Sequence, residues 1–146
     1  MVGASIALGV SRSFSQAVVQ GSGTAMRITA RECAIELEAS PVFRKNVHGY
    51  VNTLLGDSMR AVACNTFHDL GSRLARWLLV AQDQMQSDRL ELTQEFLAQM
   101  LGVRREGINE AAGTLLRRGV ISYSRGRIVV LDTARLAKSA CDCTRS

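Results

Sequence analysis

Between residues 93 and 108 the apolar and polar positions recur in a pattern that fits two short helices joined by a tight turn. Leu97, Leu101, Val103 and Ile108 supply a buried side. Ala98 is small where two helices cross closely, and Gly102 stands four residues later, where such a turn needs the positive φ that a Cβ penalises. The pattern predicts a helix-turn-helix. Ile108, Ala111, Ala112, Leu115 and Leu116 carry the apolar stripe onward at helical spacing until Arg117, Arg118 and Gly119 end it. Two β-rich runs follow, 120–124 and 127–131, around Arg125 and Gly126, which reads as a hairpin appended as a wing.

Upstream, Leu70, Leu74, Trp77, Leu78 and Ala81 give an apolar side to a helix over residues 69–85, with Asp69 able to cap its start and a hinge expected near residues 66–69. Ser40 and Pro41 read as another helix start, and the helical pattern runs from there to about Thr66. A shorter helix is expected over residues 30–39. Short β-rich runs at 5–10, 16–19 and 25–28 alternate with turns such as Gly21-Ser22-Gly23, suggesting a small antiparallel fragment that is too small to fold alone. The class is therefore α+β, in three regions: a β fragment with its helix at 1–40, a long helix and hinge at 41–68, and a winged helix-turn-helix at 69–146.

The long helix carries two adjoining stripes, Val47, Val51, Leu54, Ser58 and Ala61 on one and Val51, Leu55, Met59 and Val62 on the other. That is more surface than the β fragment covers, so pairing with the same helix of a second subunit is expected, through Val47, Val51, Leu54, Leu55, Ser58 and Val62. Burial of both stripes inside one subunit is the alternative.

Composition makes the chain globular: 47% of its 146 residues are hydrophobic and 21% charged. No apolar stretch is long enough to span a bilayer and residues 1–10 lack a signal-peptide pattern, so a cytoplasmic protein is expected. Charge is unevenly placed. Residues 104–127 hold six arginines against Glu106 and Glu110, which is +4 of the chain's +5, whereas residues 32–103 hold nine acids against six bases. Positive charge thus gathers on the helix-turn-helix and wing, which favours a polyanion as partner.

Within that segment Arg105 has the fork to take guanine O6 and N7, Glu106 can accept from a cytosine amine, and Asn109 lies one turn on as a further base-reading candidate. Thr93, Arg104, Arg125 and Arg127 are phosphate-contacting candidates that carry no sequence information of their own. No paired carboxylates, nucleophile with base, or phosphate-cradling loop is placed for catalysis, so no enzyme and no cofactor is expected. Cys64 and His68 are four apart and Cys141 and Cys143 two apart, each a ligand-capable pair. Neither makes a site alone: a metal needs three or four convergent ligands, and His48 is far from both pairs in sequence, so none is expected.

The stretches Arg-Leu-Ala-Arg-Trp-Leu-Leu at 73–79 and Leu-Thr-Gln-Glu-Phe-Leu-Ala-Gln-Met-Leu-Gly-Val at 92–103 resemble the carboxy-terminal domain of the Crp/Fnr transcription regulators, over about half the chain. The resemblance implies a dimeric regulator on double-stranded DNA with a two-fold symmetric operator, which contacts RNA polymerase or blocks it. It puts Arg105 and Glu106 on the family's base readers and makes residues 41–66 its dimerisation helix. It also makes residues 1–29 the last strands of a cyclic-nucleotide-type β-roll whose first half is missing. Glu110 stands where the family has a second arginine, which implies a different operator. Gly3-Ala4 and Arg12-Ser13 keep the phosphate cassette's arginine and lack its carboxylate, so cyclic nucleotide is not expected and any effector is unknown. A second reading is an interaction module that pairs with a full-length relative and modulates it without binding DNA.

Overall fold

A computed structural model describes residues 1–10, 12–13, 16–19 and 23–144. The chain divides into two compact units, Met1–Met59 and Arg60–Ser146, with the division inside the long helix.

In the first unit the described residues form no strand. Ala4–Leu8 is a 3-10 turn bounded by Gly3 and Gly9, both at positive φ, where a β-run was expected over 5–10. Residues 16–19 and 25–28 have no regular structure, and Gly21 and Ser22 of the expected turn lie outside the described residues. The physical reason is hydrogen bonding: a strand needs a neighbour for its N–H and C=O groups, and the described residues of this fragment supply none. Val18, Val19 and Met26 are accordingly exposed. Helix α1 (Ala30–Ala39) begins with a reciprocal cap, in which Thr29 Oγ1 accepts from the Glu32 amide and the Glu32 carboxylate accepts from the Thr29 amide. Helix α2 (Pro41–Phe67) starts where Ser40 Oγ accepts from the Phe43 amide.

The second unit holds α3 (Leu70–Met85), β1 (Arg89–Glu91), α4 (Gln94–Leu101), α5 (Arg105–Arg117), β2 (Ile121–Ser124), β3 (Arg127–Val130) and α6 (Thr133–Ser139). Its antiparallel sheet has the order β1-β3-β2, with Leu90 opposite Ile128 and Ile121 opposite Val130. Leu74, Leu78, Leu90, Leu97, Ile108, Leu115, Val120, Ile128 and Leu136 form one core beneath it. Trp77 packs edge-on against Phe96 at 6.0 Å. Leu116 leaves the expected stripe and is exposed, because α5 turns it away from this core.

Asp69 caps α3: its carboxylate accepts from the Ser72 amide at 3.0 Å and from the Ser72 hydroxyl at 2.7 Å, and these bonds hold its pKa below the ordinary value. A depressed pKa stabilises the fold above the unfolded carboxylate range, and that contribution is lost as pH falls through the folded value. Asp69→Ala is expected to cost about 0.5–2 kcal/mol at neutral pH. Urea melts from neutral to acid pH check this, the gap from the parent protein closing as the carboxylate protonates.

Candidate nucleic-acid interface

Helix α4 is fixed at both ends. At its start Thr93 Oγ1 accepts from the Phe96 amide at 3.1 Å. At its end Gly102 takes φ 64° and donates its amide back to the helix, while the Arg73 guanidinium donates to the Leu101 carbonyl. Gly102 thus makes the turn for which its missing Cβ suits it. Three residues on, α5 begins at Arg105 with Arg104 as its N-cap, whose side chain makes no capping hydrogen bond. Gly107 lies where α5 passes α3: a Cβ there would stand 3.0 Å from Leu70 Cδ2, so the glycine permits a close approach at the cost of helix propensity.

All three base-reading candidates, Arg105, Glu106 and Asn109, are exposed on the first turns of α5. Arg105 Nε donates to Gln94 Oε1 at 3.2 Å, and Gln94 Nε2 donates to Asn109 Oδ1 at 3.2 Å. One amide on α4 therefore orients two of them. Sequence reasoning missed Gln94, although its place just after the Thr93 cap, facing the next helix across the turn, is a signal for such a role.

The wing turns through Arg125 at φ 49° and Gly126 at φ 78°, the two positive values that a two-residue hairpin of the right twist requires. Arg125 is exposed and borders an open groove of about 390 Å³ with Thr93, Gln94, Glu95, Arg105, Tyr123 and Gly126. Tyr123, half-buried, is a second residue of this groove that the sequence pattern did not single out. Thr93, Arg105 and Arg125 are thus brought to one groove; Arg104 is exposed beside it in sequence. Arg127 differs. Its Nε lies 2.7 Å from Glu91 Oε1 on the neighbouring strand, an exposed pair of the kind worth about 0–1 kcal/mol, which a phosphate can displace.

On α2, Leu54, Leu55, Ser58 and Val62 are exposed and Val51 is half-buried. Val47, expected on the same pairing stripe, is buried at 5% exposure. Met59 adds to the exposed stripe. Neither Cys64 nor Cys141 is in a disulfide, and the two pairs expected to stay apart instead meet: Cys64 Sγ and Cys141 Sγ are 3.4 Å apart, and Cys143 Sγ is 3.5 Å from His68 Nδ1. Burial pushes the Cys141 thiol pKa up, with Cys64 adding to the effect. The long chain separation hid this meeting, because it depends on α6 returning the tail to the end of α2. No helix among the described residues is long and apolar enough to cross a membrane.

Comparison with known proteins agrees with this geometry. Residues 72–139 match the Crp-like helix-turn-helix domain. A Crp/Fnr-family transcriptional regulator from Eubacterium rectale is 26% identical with a TM-score of 0.61, over 80% of this chain and 52% of that one. A CRP-family regulator from Thermus thermophilus is 22% identical with a TM-score of 0.60, over 69% and 55%. FixK2 from Bradyrhizobium japonicum is 13% identical with a TM-score of 0.70, over 78% and 60%. The chain spans a little over half the length of these structures. No curated protein matches it.

Proposed function

We propose, from the match of residues 72–139 to the Crp-like helix-turn-helix domain, that this chain is a Crp/Fnr-type transcription regulator that binds a two-fold symmetric DNA operator as a homodimer. The observation that supports the reading is the exposed set Arg105, Glu106 and Asn109 at the start of α5, with Gln94 bonded to Arg105 and Asn109 and with Arg105 lining the same groove as the wing arginine. In this reading α5 enters the major groove, Arg105 takes a guanine edge, Glu106 accepts from a cytosine amine, and Asn109 reads the next base. Thr93, Arg104 and Arg125 hold phosphates, and Arg127 joins them on exchanging Glu91 for a phosphate. The exposed stripe of α2, from Leu54 to Val62, supplies the two-fold contact.

Selection of bound duplexes from a random pool tests this directly. Enrichment of an inverted repeat with half-sites about 10 base pairs apart, centre to centre, is the expected result; a pool that stays random after repeated rounds overturns it. The same exposed stripe favours a second reading, in which the chain pairs with a longer relative. Co-expression with such a relative and analysis of mixed dimers distinguishes the two, since a modulator forms mixed dimers and selects no operator alone.

The wing contributes position without sequence. Arg125→Ala is expected to weaken binding to all duplexes alike and to lower the slope of log affinity against log salt by about 1. Filter binding across a salt series on specific and random duplexes checks both parts.

A further inference from the structure

Away from the groove between α4, α5 and the wing, the second unit gathers three cysteines and a histidine from two distant segments. Cys64 lies in the last turn of α2, and His68 follows one turn later, its amide bonded to the Cys64 carbonyl at 3.2 Å. Cys141 and Cys143 come from the short 3-10 turn at the end of the chain and the residue before it. The four ligand atoms, three Sγ and one imidazole nitrogen, all lie within 4.8 Å of one another; Cys64 and Cys141 are buried and His68 and Cys143 half-buried.

The geometry points to a Cys3His site for a zinc-class divalent cation, one that ties the chain's last residues to the end of α2. Three features carry this. The donor set is that of a closed structural zinc site, and no fifth group is required. Bonds of about 2.3 Å to a tetrahedral ion put thiolate sulfurs about 3.7 Å apart, so the 3.4 Å between Cys64 and Cys141 needs only a small outward adjustment. Each pair also converges on one centre: residues four apart on a helix share a side, and residues 141–143 bring Cys141 Sγ against Cys64 Sγ and Cys143 Sγ against His68 Nδ1. Buried thiols with a histidine against them have no role in the groove, and this inference stands whether or not the chain binds an operator.

The full chain, purified under reducing conditions, is the material for the test. Titrated with zinc chloride against a competing chromophoric chelator, it is expected to take up one equivalent per chain. Cobalt(II) in place of zinc is expected to give the intense ligand-field bands of a tetrahedral, thiolate-rich site. Cys143→Ser and His68→Gln, both at half-buried positions, should each weaken zinc by about 100-fold or more, exceeding the loss of an outer-shell partner. Cys33→Ser, in the other unit, should change nothing, and circular dichroism confirms that each variant is folded. Uptake no stronger than that of Cys143→Ser, or an octahedral cobalt spectrum, would overturn the assignment. So would a Cys64–Cys141 disulfide whose reduction leaves metal uptake absent.

Discussion

Replacing Leu55 and Met59 together by glutamate is expected to lower affinity for a full two-fold operator by about 10²–10⁴-fold while leaving binding to a single half-site unchanged. The two side chains stand one helical turn apart on α2 at 55% and 64% exposure, with Val62 continuing the same stripe. A lone helix surface of that kind leaves apolar area in water, and a second copy of the helix removes it at about 25 cal/mol per Å². Two carboxylates on each side of such a seam face their own kind across it, and the seam opens. Each half-site is then held by one winged unit, and the gain from tethering the second is lost. Sedimentation of parent and variant, together with gel shifts on full and half operators, reads out both effects. Equal affinities on the full operator, or a parent protein that sediments as a monomer at all concentrations, would remove α2 from the recognition scheme.

Arg105→Ala is the second large change, with an expected loss of about 1–3 kcal/mol on the selected operator, or roughly 5- to 150-fold, and a flattened preference at one base pair of each half-site. A phosphate-contacting arginine would give the opposite signature, a uniform loss on all sequences. Gln94→Ala supplies a useful contrast. It removes no charge and no base contact, yet it releases both Arg105 and Asn109 from the hydrogen bonds that orient them. Its effect should fall on discrimination more than on non-specific affinity. Competition binding against single-base operator variants separates these outcomes, and an unchanged base preference in Arg105→Ala would show that Arg105 does not read the duplex.

The parts legible in the sequence are those in which local chemistry and packing agree. Gly102 in its turn, Asp69 as a cap, and the stripe Ile108, Ala111, Ala112 and Leu115 all follow from residue type and spacing, and the fold uses them so. Strand β1 leaves no such trace, because only Leu90 of its three residues is buried and its pairing is supplied by β3 some forty residues later. Helix α6 buries only Leu136, too little for a periodic signal, although Asp132 stands at its start as a cap that accepts from the Arg135 amide at 2.9 Å. The amino-terminal β-runs depart in the other direction: residues of high β-propensity stay irregular where no neighbouring strand completes the ladder. Site residues divide on the same principle. The exposed places of Arg105 at a helix start and Arg125 at the wing tip are readable from position, whereas Gln94's bridge, Glu91's hold on Arg127 and the meeting of Cys64 with Cys141 depend on tertiary placement.

At the wing tip Arg125 occupies a left-handed backbone conformation that an L side chain adopts at a cost of roughly 1–2 kcal/mol, and glycine or asparagine would sit there with less strain. A hairpin selected for heat resistance would discard the arginine, whereas one selected for grip on a polyanion would keep it. Durability and the proposed grasp thus pull in opposite directions on a single side chain, and screening for a tougher protein is expected to blunt that proposed grip first at this corner.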